Sequence, residues 1–509
     1  MKRSDFPNLQ TRRDFFRQAA CAAVGTISVA TTIRDLRFIN TAVAQQPLTD
    51  YKALVCVFLA GGNDSNNLII PIPLDGSDTV GQGEYNNYAA VRQNLALSQT
   101  AVLPLTGAGG GGFAPLNSDG HTYGLHPVLG EIRTLFGEGK VAVCFNTGPL
   151  TYPLTKAQYN GGPKPPQLFS HSDQVTHWQT SLPDQPPKSG WGGRIADLIH
   201  PQQYPLINGI PTANAAKIAL CTSLAGANTF EVGNVFAQYH VSTGGAVTVS
   251  GVSATHLQRM KDILALGNPN LQRTAFADVT ENAINTGDLL NASIAPTAAA
   301  GYWTQLFPTT SLGNQLRMVA RLIEAGRRPS TAGGLDMKRQ IFFTQVGGYD
   351  THTNQVGNAA APTDTSVGAH ANLLNEVSEA VFAFQRAMEQ INAANEVVSF
   401  TASDFSRTFR TNGQGSDHAW GSHHLIIGGN GDPVTGAVRG RKTYGTFPVL
   451  SVTGPDAVPT SQEGRWIPTI ACDQYAATLA RWFGVAESDI SVVFPNIGRF
   501  AAPNLGFML

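Results

Sequence analysis

Short apolar runs alternate with segments of helical periodicity along this chain, and this alternation constrains the fold most. The runs cover residues 53–59, 140–146, 217–221, 340–346 and 397–402, and the helical segments cover residues 128–136, 254–266, 314–325, 367–391 and 473–483. Apolar runs of this length between glycine or polar turns are typical of buried parallel strands. The pattern therefore predicts an α/β fold, with a mostly parallel sheet covered by helices on both faces.

Glycine- and proline-rich stretches at 107–112, 149–166 and 183–187 interrupt this alternation. We interpret them as loops that wrap one domain rather than as linkers between domains. The expected organisation is a signal segment at 1–44 and a single domain at 45–509 with long loop insertions.

Composition excludes several classes of protein. Only 14% of the 509 residues are charged, against about 25% in typical soluble domains, but 42% are hydrophobic, which is enough for a large core. The 34 basic residues nearly balance the 35 acidic residues, and nucleic-acid binding needs clustered Lys and Arg. We therefore expect no nucleic-acid partner. Five cysteines are too few for a disulfide scaffold.

The N-terminal segment has the pattern of a twin-arginine export signal. Arg12 and Arg13 precede a weakly apolar run at 19–33, and Ala42-Val43-Ala44 supplies the small residues of a cleavage site. The alternative is an ordinary amphipathic helix. The run is shorter than the ~20 residues that span a bilayer, so we expect no transmembrane segment after signal removal. Loss of seven basic and three acidic residues leaves 27 against 32, a net charge of −5. The predicted partner is the twin-arginine export machinery, and the predicted location is periplasmic or secreted.

Acidic residues and histidines follow three of the predicted strands. Loops 61–67, 347–354 and 403–408 come directly after the first, fourth and fifth apolar runs, and segment 417–424 follows a glycine-rich turn. Ligands bind at the carboxyl ends of parallel strands because loops converge there. The acids and histidines in these loops suit a divalent metal, with Zn, Mn and Ca all open.

Each of these residues also has an ordinary structural interpretation. Asp64 is suited to capping a turn, Asp350 to an Asx-turn, and Asp404 to pairing with Arg407. The histidines at 418, 423 and 424 are compatible with hydrogen-bonded surface positions. The joint occurrence of acids and histidines in several convergent loops favours the metal site over these separate explanations.

Ser170 opens a predicted helix after a proline-rich loop, in the segment Phe169-Ser170-His171-Ser172-Asp173. Backbone N–H groups at a helix N-terminus stabilise anions, so Ser170 is a candidate nucleophile or metal-proximal hydroxyl. An ordinary N-cap is the alternative. Arg407 and Arg410 are the candidates for clamping an anionic group.

Taken in order, these motifs resemble an exported bacterial family, catalogued as domain of unknown function 1501. The resemblance rests on Gly-Gly-Asn-Asp, Ser-His, Asp-Thr-His, Ser-Asp-Phe-Ser-Arg-Thr and Asp-His, which span about residues 52–483. That family is grouped with the alkaline phosphatase and sulfatase superfamily. The resemblance implies a three-layer α/β/α, alkaline phosphatase-like fold with divalent metals and a hydroxyl nucleophile. It implies the metal ligands Asp64, Asp350, His352, Asp404 and His418, with Ser170 at the nucleophile position.

Two departures from the superfamily pattern bear on the metal count. Hydrolases of the superfamily often have Asp-His where this chain has Asp404-Phe405, and the spacing of Asp350 and His352 is tighter than usual. A single-metal or remodelled site is therefore an alternative to a two-metal site.

Two functions follow as hypotheses. The first is an exported metal-dependent hydrolase of small-molecule or polymeric phosphate or sulfate esters, with Ser170 or a water as the attacking group and Arg407 neutralising the anion. The second is a non-catalytic exported protein that keeps the fold and binds a polymer or a partner protein through its polar loops.

Overall fold

The computed structural model describes residues 48–105, 121–203, 206–207, 210–211, 218–236, 238–246, 248–249, 251–266, 270–361 and 363–509. The predicted signal segment at 1–44 and the glycine-rich run at 107–112 lie outside these residues.

The described residues form the following regular elements. The strands are β1 (Lys52–Leu59), β2 (Ile69–Ile72), β3 (Leu103–Pro104), β4 (Thr122–Leu125), β5 (Val141–Gly148), β6 (Leu206–Ile207), β7 (Ile210–Pro211), β8 (Cys221–Ser223), β9 (Tyr239–Ser242), β10 (Gly245–Ala246), β11 (Arg339–Val346), β12 (Val397–Ser403), β13 (Ser422–Gly428), β14 (Lys442–Tyr444) and β15 (Ile470–Ala471). The α-helices are α1 (Thr79–Arg92), α2 (Gly130–Gly137), α3 (His171–Thr180), α4 (Trp191–Gln203), α5 (Ala254–Leu264), α6 (Leu271–Ile294), α7 (Ser311–Arg327), α8 (Ala369–Gln390), α9 (Cys472–Phe483) and α10 (Ile490–Val493).

A ten-stranded sheet is the centre of the fold. Its order is β10-β9-β8-β11-β1-β12-β13-β5-β14, and β15 also pairs with β5. All pairs are parallel except β9 with β10 and the two pairs that β13 makes with β12 and β5. The predicted mostly parallel sheet is therefore confirmed.

Strand β1 shows how the sheet separates two hydrophobic cores. Val55 and Val57 pack in one core together with residues of α2, α7 and α8. Cys56 and Phe58 pack in the other core together with residues of α4 and α9. Successive side chains of a strand point to opposite faces, so an uninterrupted apolar strand needs helices on both sides.

The sequence pattern located most central strands but not all of them. The strand predicted at 217–221 lies further along the chain, at Cys221–Ser223. β13 was missed because its sequence, Ser-His-His-Leu-Ile-Ile-Gly, begins with polar residues that are nonetheless buried. Helices α1, α4 and α6 were missed as well. Helix α1 in particular has a polar sequence with only three buried residues. None of the helices in the described part of the chain is long and apolar enough to cross a membrane.

The carboxyl ends of three neighbouring strands are level with one another. Leu59, at the end of β1, is in register with Val346 of β11 and with Ser403 of β12. The loops that follow these strands therefore start at the same edge of the sheet, as the sequence predicted.

Candidate metal centre

The three strand-end loops contact one another directly after the strands end. Tyr349 N donates to Ala60 O at 3.1 Å, and Gly61 N donates to Asp404 Oδ1 at 3.0 Å. Gly61 has φ +112°, and a Cβ at this position would lie 2.5 Å from Asp350 N. Glycine is therefore required here, because any side chain would push the loop of Asp350 away.

Two histidines and one carboxylate converge at this edge of the sheet. His171 Nε2 lies 3.1 Å from His418 Nε2, and Asp350 Oδ1 lies 3.4 Å from His171 Nε2 and 3.2 Å from His418 Nε2. These three ligand-type atoms form a compact triangle of the kind that surrounds a metal ion.

His352 reaches the same pair of atoms. Its Nε2 lies 2.9 Å from His418 Nε2 and 3.1 Å from Asp350 Oδ1. His418 and Asp350 are thus shared by two triangles, one completed by His171 and the other by His352. We refer to His171, Asp350, His352 and His418 as the His₃Asp cluster.

The other ring nitrogen of each histidine has an acceptor of its own. His171 Nδ1 lies 2.7 Å from Asp404 Oδ2, and His352 Nδ1 lies 2.7 Å from Asp417 Oδ1. His418 Nδ1 donates to the backbone carbonyl of Phe169 at 2.8 Å. A proton held at Nδ1 leaves the lone pair at Nε2, so this arrangement directs three lone pairs into the cluster.

Arg407 supports Asp350 from behind. Its Nη1 donates to Asp350 Oδ1 at 2.6 Å and to Gly61 O at 3.2 Å, and its Nη2 donates to Ser416 O. Burial alone would raise the pKa of Asp350, but the hydrogen bond and charge of Arg407 outweigh it and lower that pKa. Asp350 is therefore held as a carboxylate.

The environment shifts the pKa of two cluster histidines in opposite directions. The hydrogen bond to Asp404 raises the pKa of His171 despite partial burial. Burial lowers the pKa of His418, with Arg407 and His171 adding to the effect. Burial would raise the pKa of Asp417, but its hydrogen bonds to His352 and Asn412 lower it.

Phe405 forms the floor of the cluster. The Phe405 side chain is fully buried. The centroid of its ring lies 4.7 Å from the centroid of the His171 ring and 4.8 Å from that of the His418 ring. A nonpolar ring therefore packs against both histidines on the protein side of the cluster.

The structure brings together three of the five predicted metal ligands, namely Asp350, His352 and His418. Asp404 lies behind His171, on the side away from the cluster. One of its oxygens accepts a hydrogen bond from Gly61 N and the other contacts His171 Nδ1. It is placed to orient His171 rather than to enter the cluster itself.

Asp64 has a different environment from the one predicted. Its buried carboxylate pairs with Arg92 and accepts hydrogen bonds from Gln355 and Asn66. Burial would raise the pKa of Asp64, but the charge of Arg92 reverses the shift and lowers it. This carboxylate is neutralised inside the protein, and its contacts are with these side chains rather than with the His₃Asp cluster.

The two predicted catalytic residues are also placed differently. Ser170 precedes α3 without capping it, and its hydroxyl donates to Asp173 Oδ2 at 2.5 Å. The side chain of Arg407 is 0% exposed, so it lies behind Asp350 instead of facing a bound anion. His423 and His424 belong to β13 and are buried in the sheet.

Sequence reasoning missed His171 and Asp417 as members of this site. His171 directly follows Ser170, and an imidazole at this position is itself a signal for a metal ligand. Asp417 directly precedes His418, and its role becomes visible only once His352 is placed beside it.

Comparison with known proteins adds a family match. Residues 295–458 match the family model described as "Protein of unknown function (DUF1501)". This range includes Asp350, His352, Asp417 and His418, whereas His171 lies outside it. Over this range the chain is similar to that family.

One solved structure with similarity to this chain is titled "Crystal structure of Ps i-CgsB in complex with k-i-k-neocarrahexaose". It is 9% identical with a TM-score of 0.32, over 90% of this chain and 78% of that chain. The comparison with curated proteins finds no match.

Proposed function

We propose that this protein binds a divalent metal ion in the His₃Asp cluster and is an exported hydrolase of phosphate or sulfate esters. The observation that carries the metal proposal is the convergence of three imidazole Nε2 atoms on one carboxylate oxygen, with every Nδ1 bonded to an acceptor. The ester chemistry rests on the resemblance of the motifs to the alkaline phosphatase and sulfatase superfamily, and the proposed fold relationship to that superfamily has the same basis.

The spacing of the cluster suits a metal ion. Zinc binds histidine nitrogen and carboxylate oxygen at about 2.0–2.2 Å, so two ligands of a tetrahedral site lie roughly 3.3–3.5 Å apart. The triangle of His171, Asp350 and His418 has sides of 3.1, 3.2 and 3.4 Å. In the neutral histidines, lone pairs face each other across these distances, and a cation between them removes the repulsion.

The donor set favours a transition metal over calcium. Calcium takes six to eight oxygen ligands, whereas imidazole nitrogen suits zinc, iron, nickel and copper. Three imidazoles and a single carboxylate oxygen therefore fit zinc better than manganese or calcium. Phe405, which lies against both His171 and His418, supports one metal rather than two.

A bound divalent metal would supply Lewis acidity toward an ester oxygen. The residues of this chain contribute position and charge around it. Arg407 keeps Asp350 ionised, and Asp404 and Asp417 hold two histidine rings in the orientation that points Nε2 inward. The cluster side chains are 26–46% exposed, so an ester group attached to a large substrate has access from solvent.

A non-catalytic metal-binding protein is the second candidate, and two contacts favour it. The hydroxyl of Ser170 is bonded to Asp173 rather than directed at the cluster, and Arg407 is buried behind Asp350. A hydrolase would then use water as the attacking group and another group to hold the anion. A binding protein would need neither.

Elemental analysis of the purified chain after growth with Zn, Mn and Ca tests the metal proposal. We expect about one equivalent of zinc in the wild type and strong loss in His171→Ala. His256→Ala, at an exposed histidine of α5, is the matched control and should keep the metal. A wild-type protein without stoichiometric metal would contradict the proposal.

Activity separates the two candidate functions. The zinc-loaded protein is assayed on phosphate monoesters, phosphate diesters and sulfate esters, including polymeric ones. Hydrolysis that is lost in His171→Ala supports the hydrolase. A fully metal-loaded protein that is inactive on all of these substrates supports the binding protein.

Export is proposed from the sequence of residues 1–44. We infer a periplasmic or secreted location through the twin-arginine pathway. Changing Arg12 and Arg13 to lysine should retain the precursor inside the cell. Normal secretion of that variant, measured by immunoblot of cell fractions, would overturn the assignment.

A further inference from the structure

The turn before α3 contains a strained backbone conformation at a bulky residue. Phe169 has φ +73°, in the left-handed region. Residues with a side chain avoid this region because Cβ comes too close to the carbonyl oxygen. Such conformations persist only where surrounding contacts hold them, and they cluster at functional sites.

The carbonyl of this strained residue is the one that accepts from His418. Phe169 O lies 2.8 Å from His418 Nδ1. Two residues further on, His171 begins α3 and places its Nε2 3.1 Å from His418 Nε2. A single short turn thus supplies both one cluster histidine and the acceptor that orients another.

The Phe169 ring is held by packing on two sides. The Arg465 guanidinium lies 4.4 Å from the ring centroid, within the range of a cation–π contact. Phe169 also packs against the hydrophobic cluster that includes Tyr159 and Trp420. The segment carrying Arg465 is tied to the third strand-end loop, because Phe409 N donates to Gly464 O at 3.0 Å.

We propose that Phe169 is a positioning residue for the metal centre. Its ring is anchored by Arg465 and the Trp420 cluster, and this anchoring holds the backbone in the left-handed conformation. The carbonyl then fixes the proton of His418 at Nδ1 and directs Nε2 toward the metal. This inference rests on the proposed metal site.

Phe169→Val tests the proposal, because a β-branched residue is poorly tolerated at positive φ. Gln167→Val is the matched control. Gln167 has φ +51° in the same turn, but its carbonyl accepts from Ser170 N at 3.2 Å. Both variants impose similar backbone strain, and only Phe169→Val disturbs the acceptor of His418.

The measurements are zinc affinity by chelator competition and the absorption spectrum of the cobalt-substituted protein. Loss of a partner that orients a ligating histidine weakens metal binding about 10–100-fold. We expect at least a tenfold loss and an altered cobalt spectrum in Phe169→Val, with neither change in Gln167→Val. Equal effects in both variants, or none in either, would overturn the proposal.

Arg465→Gln provides a second test that leaves the backbone of the turn unsubstituted. It removes the cation over the Phe169 ring, and we expect a weaker zinc affinity by about threefold to tenfold, in line with the modest strength of a cation–π contact. If Phe169→Val fails to fold, an unchanged affinity in Arg465→Gln overturns the proposal. A wild-type protein that binds no zinc refutes the metal site itself, whereas zinc binding that is insensitive to Phe169 and Arg465 refutes only the positioning role.

Discussion

Asp404 and His171 are separated by 233 residues, yet Asp404 Oδ2 lies 2.7 Å from His171 Nδ1. Asp404 follows the end of β12, and His171 begins α3, so this contact joins the edge of the sheet to the helix beside it. The second oxygen of Asp404 accepts from Gly61 N, after β1. The carboxylate therefore fixes the His171 ring relative to two strands at once.

Asp404→Asn is expected to weaken metal binding without unfolding the protein. The amide keeps an oxygen for Gly61 N but loses the charged acceptor for His171 Nδ1. We expect zinc affinity to fall about 10–100-fold, as for other partners of ligating histidines. Chelator competition measures this change. The control is Asp173→Asn, which alters the partner of the Ser170 hydroxyl instead; an equal loss there would argue against a specific role for Asp404.

Asp64→Asn distinguishes a structural carboxylate from a metal ligand. Asp64 and Arg92 form an ion pair in which both side chains are 0% exposed. Removing one charge leaves the other buried and uncompensated, which costs about 3–5 kcal/mol. We expect a large drop in the free energy of unfolding, measured with urea, and unchanged metal stoichiometry at low temperature. A stable variant that lacks metal would restore Asp64 as a ligand.

Buried histidines predict that the protein loses stability in mild acid. Burial lowers the pKa of His126, His423 and His424 to about 3 and that of His370 to about 4. The unfolded chain binds protons near pH 6.5 that the folded protein does not accept. The stabilising contribution is therefore complete above pH 6.5 and is lost as the pH falls toward 3–4, at up to ~1.4 kcal/mol per pH unit for each histidine.

Urea unfolding at pH 7.5, 6.0 and 5.0 measures this loss. His424→Gln should flatten the dependence of the unfolding free energy on pH, even where the variant is less stable overall. His256→Gln, at an exposed position, should leave the slope as it is in the wild type. A wild-type stability that does not change between pH 7.5 and 5.0 would contradict this prediction.

The buried carboxyl group of Glu231 should make the free energy of unfolding fall as the pH rises, which is the opposite of the histidine effect. Burial raises the pKa of Glu231 to about 8, although Asn228 donates a hydrogen bond to it at 2.8 Å. The folded protein keeps this proton after the unfolded chain has lost it near pH 4.5. The contribution of Glu231 is therefore complete below pH 4.5 and is lost as the pH rises through 8.

Glu231→Gln removes that titration. Relative to wild type, we expect the variant to gain in melting temperature as the pH rises from 5 to 9, because glutamine carries no charge to bury. Thermal unfolding of both proteins at several pH values gives the difference. A constant difference across this range would show that Glu231 does not titrate as inferred.

The sequence anticipated the strand-end geometry well, for a physical reason. β1, β11 and β12 are short apolar runs buried on both faces, and this pattern is local. Loops that follow neighbouring parallel strands start at the same edge of the sheet, so the sequence placed Asp350, His352 and Asp404 at one edge. β13 escaped detection because its first residues, Ser422 to His424, are polar but buried, and local hydropathy does not identify such a strand.

What the sequence determined by itself is the alternation of apolar strands and helices around β1, β11 and β12 and the residue types available at the sheet edge. The tertiary structure decided which of those residues meet. In the folded protein, Asp64 pairs with Arg92 and the buried Arg407 donates to Asp350. His171, at the start of α3, contacts His418. The partners that orient the three histidines are 65, 233 and 249 residues away in the chain. Local patterns encode hydrophobic periodicity, but the pairing of one nitrogen with one distant acceptor depends on how the layers pack.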